Sequence, residues 1–120
     1  MLTHYNQIMS YTTRDGSIIR ELMHPDIHGN NNQSLAEAII PVGTRTHLHS
    51  HQKSEEIYHV TRGEGCMRLG NAEFNIKQGD TIVITPGTQH NVYNSGKKNL
   101  HILCCCSPAY SHDDTELIYE

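Results

Sequence analysis

The sequence predicts an all-β fold: an antiparallel barrel or jelly roll in a single domain. Three observations predict it. Helical periodicity is nearly absent along the 120 residues. Short apolar or alternating runs recur instead, each closed by Gly, Pro, Asn or Asp, which is the pattern of strands and turns. No linker or composition break divides the chain, and its length fits one domain.

The elements follow in order. After the turn pair Asp15-Gly16, Ser17 to Leu22 reads as the first strand. Gly29 to Asn32 marks a loop, and Ser34 to Ile40 a strand stopped by Pro41-Val42-Gly43. Thr44 to His51 alternates, placing His47, His49 and His51 on one face. Glu56 to Thr61 is a strand ended by Gly63-Glu64-Gly65. Cys66 to Leu69 and Glu73 to Ile76 flank Gly70-Asn71, a two-residue hairpin signal. Thr81 to Ile84 precedes Pro86-Gly87, and Leu100 to Cys106 is halted by Pro108. The segment after Tyr110 is acidic and reads as a short helix or a loose end. Three regions result: N-terminal strands and loop over 1–33, a barrel core over 34–108, and an acidic tail over 109–120.

Composition narrows the function. With 9 Lys and Arg against 13 Asp and Glu, the net charge is −4, a field that gives a nucleic acid or an anionic membrane nothing to gain. No apolar run approaches the roughly 18 residues of a membrane helix. Met1 to Gln7 lacks the pattern of a secretory leader, so a cytoplasmic location is expected. Cys66, Cys104, Cys105 and Cys106 are expected as reduced thiols, because adjacent cysteines meet disulfide geometry poorly. The Cys104–Cys106 run reads as a buried strand in which Cys acts as a small hydrophobe. Gly63-Glu64-Gly65 is too short a match for a dinucleotide loop, since Arg68 stands at the third glycine position. No phosphate-binding Gly-Lys-Ser/Thr loop or Gly-x-Ser-x-Gly elbow is present.

The surplus is histidine, 10 of 120 residues. Gly43, His49, His51, Glu56 and Gly63 form one spaced set; Gly79, Asp80, Pro86, Gly87, His90 and Asn94 form a second. These resemble the two signature motifs of the cupin superfamily. The first agrees at every fixed position, and the second departs once, with Thr85 where the family most often has Pro. The 15 residues between them, Glu64 to Gln78, match the compact gap of small single-domain cupins. The resemblance implies a double-stranded β-helix, and it selects Glu56 over the adjacent Glu55 as the inward carboxylate.

The residues support that implication independently. In a strand His49 and His51 point the same way, close enough to share one ion. With a carboxylate on the next strand and His90 from across the barrel, they make a four-ligand site for one divalent transition metal ion: Fe, Mn, Zn, Ni or Cu. Three neutral imidazoles and one carboxylate would leave the ion a net +1 charge and open positions, the mark of a catalytic site. His47 shares the face of the pair, and either lines the pocket mouth as a substrate contact or faces solvent. Tyr58 points inward with Glu56, either as a hydrogen-bonding or acid–base residue or as a packed core tyrosine.

Two functions are expected from this pattern. One is a small metalloenzyme acting on a small oxygen-rich molecule, among reactions that in cupins include dioxygenation, isomerisation, decarboxylation, elimination and cyclisation. The other is a non-catalytic module that binds or senses a small ligand in the same pocket. The resemblance and the lean apolar content, 36%, also point to a homodimer built with the N-terminal region.

Overall fold

A computed structural model describes residues 1–120. Its strands are β1 (Tyr11–Thr12), β2 (Ile18–Met23), β3 (Ser34–Ile40), β4 (His49–His51), β5 (Glu55–Arg62), β6 (Glu64–Leu69), β7 (Ala72–Lys77), β8 (Thr81–Ile84), β9 (His90–Tyr93), β10 (Leu100–Ser107) and β11 (Thr115–Leu117). One short helix, α1 (Pro25–His28), is capped by the His24 ring, which accepts from the Asp26 N–H, and is stopped by Gly29.

The strands form two antiparallel sheets. The larger runs β1-β2-β3-β10-β5-β8 and the smaller β11-β4-β9-β6-β7. Their inner faces meet over a core of Val60, Met67, Leu100 and Ile102, each at most 1% exposed. The strand predicted for Ser34 to Ile40 is observed, with every second residue buried. The same holds for Leu100 to Cys106. The Gly70-Asn71 signal produces the expected tight hairpin, pairing Leu69 with Ala72, with Gly70 at φ 60°.

Two motif residues prove architectural. Gly63 sits at φ 84° with its α-carbon turned so that a Cβ would lie 2.8 Å from the Asn99 carbonyl oxygen, so only glycine fits where β5 turns into β6. Asn94 is fully buried; its amide donates to the carbonyls of Ile40 and Lys98, and its Oδ1 accepts from the Gly96 N–H. It ties the end of β9 to that of β3.

Three expectations need correction. The strand predicted from Thr44 narrows to His49–His51, preceded by one isolated bridge from Arg45 to Tyr93. The cause is that the His47 N–H donates to the Asp15 carbonyl at 2.6 Å rather than to a neighbouring strand. The tail is neither helical nor loose, because Thr115–Leu117 pairs with β4 as β11. Strands β1 and β9 were not predicted as elements; β1 is only two residues long, and β9 lies within the second motif.

Candidate metal centre

β4 carries His49 and His51 on its inner face, and His90 is their neighbour on β9, in register with His49. Glu56 comes from the other sheet, on β5. All four are 5% exposed or less. One ring nitrogen from each of the three histidines can be chosen so that all lie within 4.8 Å of one another. Glu56 Oε1 stands 3.3 Å from His51 Nε2 and 3.6 Å from His90 Nε2.

The second nitrogen of each ring decides what the first one offers. His49 Nδ1 lies 2.8 Å from the His47 carbonyl, and His90 Nδ1 lies 2.9 Å from the Thr88 carbonyl. A carbonyl only accepts, so both Nδ1 atoms carry the proton. His51 Nδ1 lies 3.0 Å from the Thr115 hydroxyl, which spends its own proton on the Ser111 carbonyl. That hydroxyl therefore accepts from His51 as well. When neutral, all three imidazoles therefore keep Nε2 as a lone pair; those of His51 and His90 face Glu56, and that of His49 faces Asp15.

Apart from the Cys106 thiol, which donates to Glu56 Oε2, the result is a convergence of acceptors. Glu56 Oε1 and His90 Nε2 are buried and have no hydrogen-bond partner. Burial, reinforced by the nearby His90 ring, lowers the His49 pKa to about 4, so this ring is neutral near neutral pH. Burial alone would raise the Glu56 carboxyl, but its contacts with His51 and His90 outweigh it and hold it below the usual carboxylate range. Three neutral imidazole nitrogens and one carboxylate fit a divalent cation of intermediate softness.

The model of the family described as Cupin domain matches residues 36–106. That span takes in strands of both sheets and all four of these side chains. The chain is a cupin. It is 55% identical over 116 residues to MJ1618 of Methanocaldococcus jannaschii, an uncharacterized protein, covering 97% of this chain and 93% of that one. The oxalate-binding protein of Thermotoga maritima is 31% identical over 84 residues, 70% of this chain and 65% of that protein. Among solved structures, the polyketide cyclase RemF of Streptomyces resistomycificus superposes with a TM-score of 0.84 at 16% identity, over 100% of this chain and 86% of that one.

In this cupin the His49 and His51 imidazoles open onto a cavity of about 40 Å³, room for a few water-sized occupants. Tyr58 lines it, with its ring 5.9 Å from that of His90. Burial, and then the Glu56 charge, push its phenol well above the ordinary value. His47 does not line the cavity. Its ring packs edge-on to Tyr119 at 5.0 Å and meets the Ile118 carbonyl. Of that residue, the backbone carbonyl serves the site rather than the side chain.

The cavity also holds residues that motif reading missed. Asp15, at the predicted turn, accepts through Oδ1 from the N–H and hydroxyl of Ser17. This leaves Oδ2 3.7 Å from His49 Nε2. Cys104 and Cys106 face inward while Cys105 faces away, and the Cys106 thiol donates to Glu56 Oε2 at 3.1 Å. Burial, and then the neighbouring Glu56 charge, push both inward thiols up, so they are protonated donors rather than nucleophiles.

Proposed function

We propose that His49, His51, Glu56 and His90 hold one divalent transition metal ion, and that this cupin is a small metalloenzyme acting on an oxygen-rich small molecule. The observation that carries this reading is the set of buried acceptors turned on one point with every Nδ1 proton already spent. When bound, the ion would supply Lewis acidity toward a carbonyl or enediol oxygen, or O₂ activation if it is iron. The chain's own residues would then handle protons. Tyr58 retains its proton and can donate to a developing oxyanion. Asp15 Oδ2, beside His49 at the cavity wall, is placed to accept one.

A binding role without turnover is favoured by one observation, that a relative at 31% identity is described as oxalate-binding rather than as an enzyme. Elemental analysis of protein purified without a metal-affinity tag tests the site itself. About one equivalent of a transition metal is expected in the wild type, and under a tenth in a folded His90→Ala variant. A wild-type chain that takes up no Fe, Mn, Ni or Zn contradicts the reading. Incubating metal-loaded protein with ketoses, uronates, catechols and β-diketones separates the two roles, since ligand binding without product in every class favours the binding module.

We further propose that the chain is a cytoplasmic homodimer. All four cysteines are free, as a reducing compartment maintains. No helix is long and apolar enough to cross a membrane. Across the outer face of the larger sheet, Leu35, Cys105, Ile57 and Val83 stand in one cross-strand row, with Leu35, Ile57 and Val83 36%, 41% and 54% exposed. An apolar row of this kind supports coverage by a second copy.

A further inference from the structure

β2 points Ile19 and Glu21 into the same cavity. A glutamate on an inward face is unusual, and this one is only 7% exposed. Its Oε1 accepts from the Tyr11 hydroxyl at 2.8 Å, which orients the carboxyl group. Its Oε2 is buried and has no partner. Ala36, the register partner of Glu21 on β3, is too small to cover it. Leaving a buried carboxylate oxygen unpaired is costly, so the position calls for a hydrogen-bond donor.

The charge of the wall points the same way. Three carboxyl groups line the cavity, from Asp15, Glu21 and Glu56, and no Lys or Arg does. Against a divalent ion at +2, three carboxylates leave the site at a formal −1. A dicarboxylate, the ligand class named for the Thermotoga relative, would enter with two further negative charges and with no donor for Glu21.

We infer that the ligand of this cavity is a small uncharged or cationic molecule that presents an O–H or N–H group to Glu21 Oε2, and that Glu21 sets this selectivity. The inference rests on the metal reading above and narrows its substrate class away from acids. Such a ligand would meet the ion's Lewis acidity and donate to Glu21 within the same cavity. An acid of the same size meets the carboxylate instead, and a like charge facing it costs about tenfold or more in affinity.

The test uses the zinc-loaded chain and two probes of equal size, glycolate and glycolamide. Zinc content is measured first, then each probe is titrated into wild type, Glu21→Gln and Glu73→Gln, the last removing the same charge from an exposed site on β7. Glu21→Gln is expected to shift the preference toward glycolate by about tenfold, chiefly through tighter glycolate binding, while Glu73→Gln leaves it in place. An unchanged preference in Glu21→Gln overturns the inference and leaves the metal reading intact. A wild type without zinc overturns the metal reading, and the first measurement shows which has failed. Should Glu21→Gln not hold zinc, Tyr11→Phe takes its place. Loss of the Tyr11 donor leaves the carboxylate less neutralised and is expected to weaken glycolate relative to glycolamide; equal effects on both probes overturn the inference.

Discussion

At the scale of single residues, the centre is governed by where protons are not. His49 is the sharpest case, because burial and the adjacent His90 ring lower its pKa to about 4. An unfolded histidine takes its proton near pH 6.5. Between those values the unfolded chain binds a proton that the folded chain refuses, so stability falls as pH drops from 6.5 toward 4. For metal-free protein this residue alone predicts a loss of about 2 kcal/mol between pH 7 and pH 5. Urea unfolding at the two pH values checks it, and equal midpoints would contradict it. Glu56, held low, acts in the same direction only at more acidic pH, where the unfolded carboxyl takes up a proton that the folded one refuses. The remaining histidines have ordinary employment. His24 caps α1 and reaches the Tyr110 carbonyl, and His101 meets Glu37 at 3.4 Å.

At the scale of elements, β11 is the strand on which the site depends without contributing a ligand. Its Thr115 hydroxyl accepts from His51 and donates to Ser111. Thr115→Val would strand the buried His51 N–H and free the ring to exchange tautomers. Zinc affinity, measured by chelator competition, should fall 10- to 100-fold, with Thr115→Ser restoring it. Affinity unchanged in Thr115→Val would show that His51 is held by packing alone. β11 could not be read in advance: three residues, one of them acidic, have no strand signal of their own and become a strand only by pairing with the free edge of β4. His49, His51 and Glu56 were legible because strand parity sends alternate side chains to one face. Asp15 was legible only as a turn residue, since its approach to His49 depends on where that turn lands across the barrel. Glu21 could have been found by the same parity that found the histidines, because Ser17, Ile19 and Glu21 are spaced by two and all are buried. It has no place in the motifs.

At the scale of the whole molecule, the outer face and the inner site are separable. The row through Leu35, Ile57 and Val83 predicts a dimer in sedimentation equilibrium, and Ile57→Glu should give a monomer that still binds metal. A wild-type monomer would show that the face needs no cover. The inner site has a different global consequence. Its imidazoles hang from the smaller sheet and its carboxylate from the larger, so any ion they share spans the seam between the layers. Opening that seam would require a coordination bond to break first. The loaded chain should therefore breathe less than the empty one, with amide protons of β5 and β9 exchanging more slowly in deuterated water while those of the far edge strand β7 keep their rate.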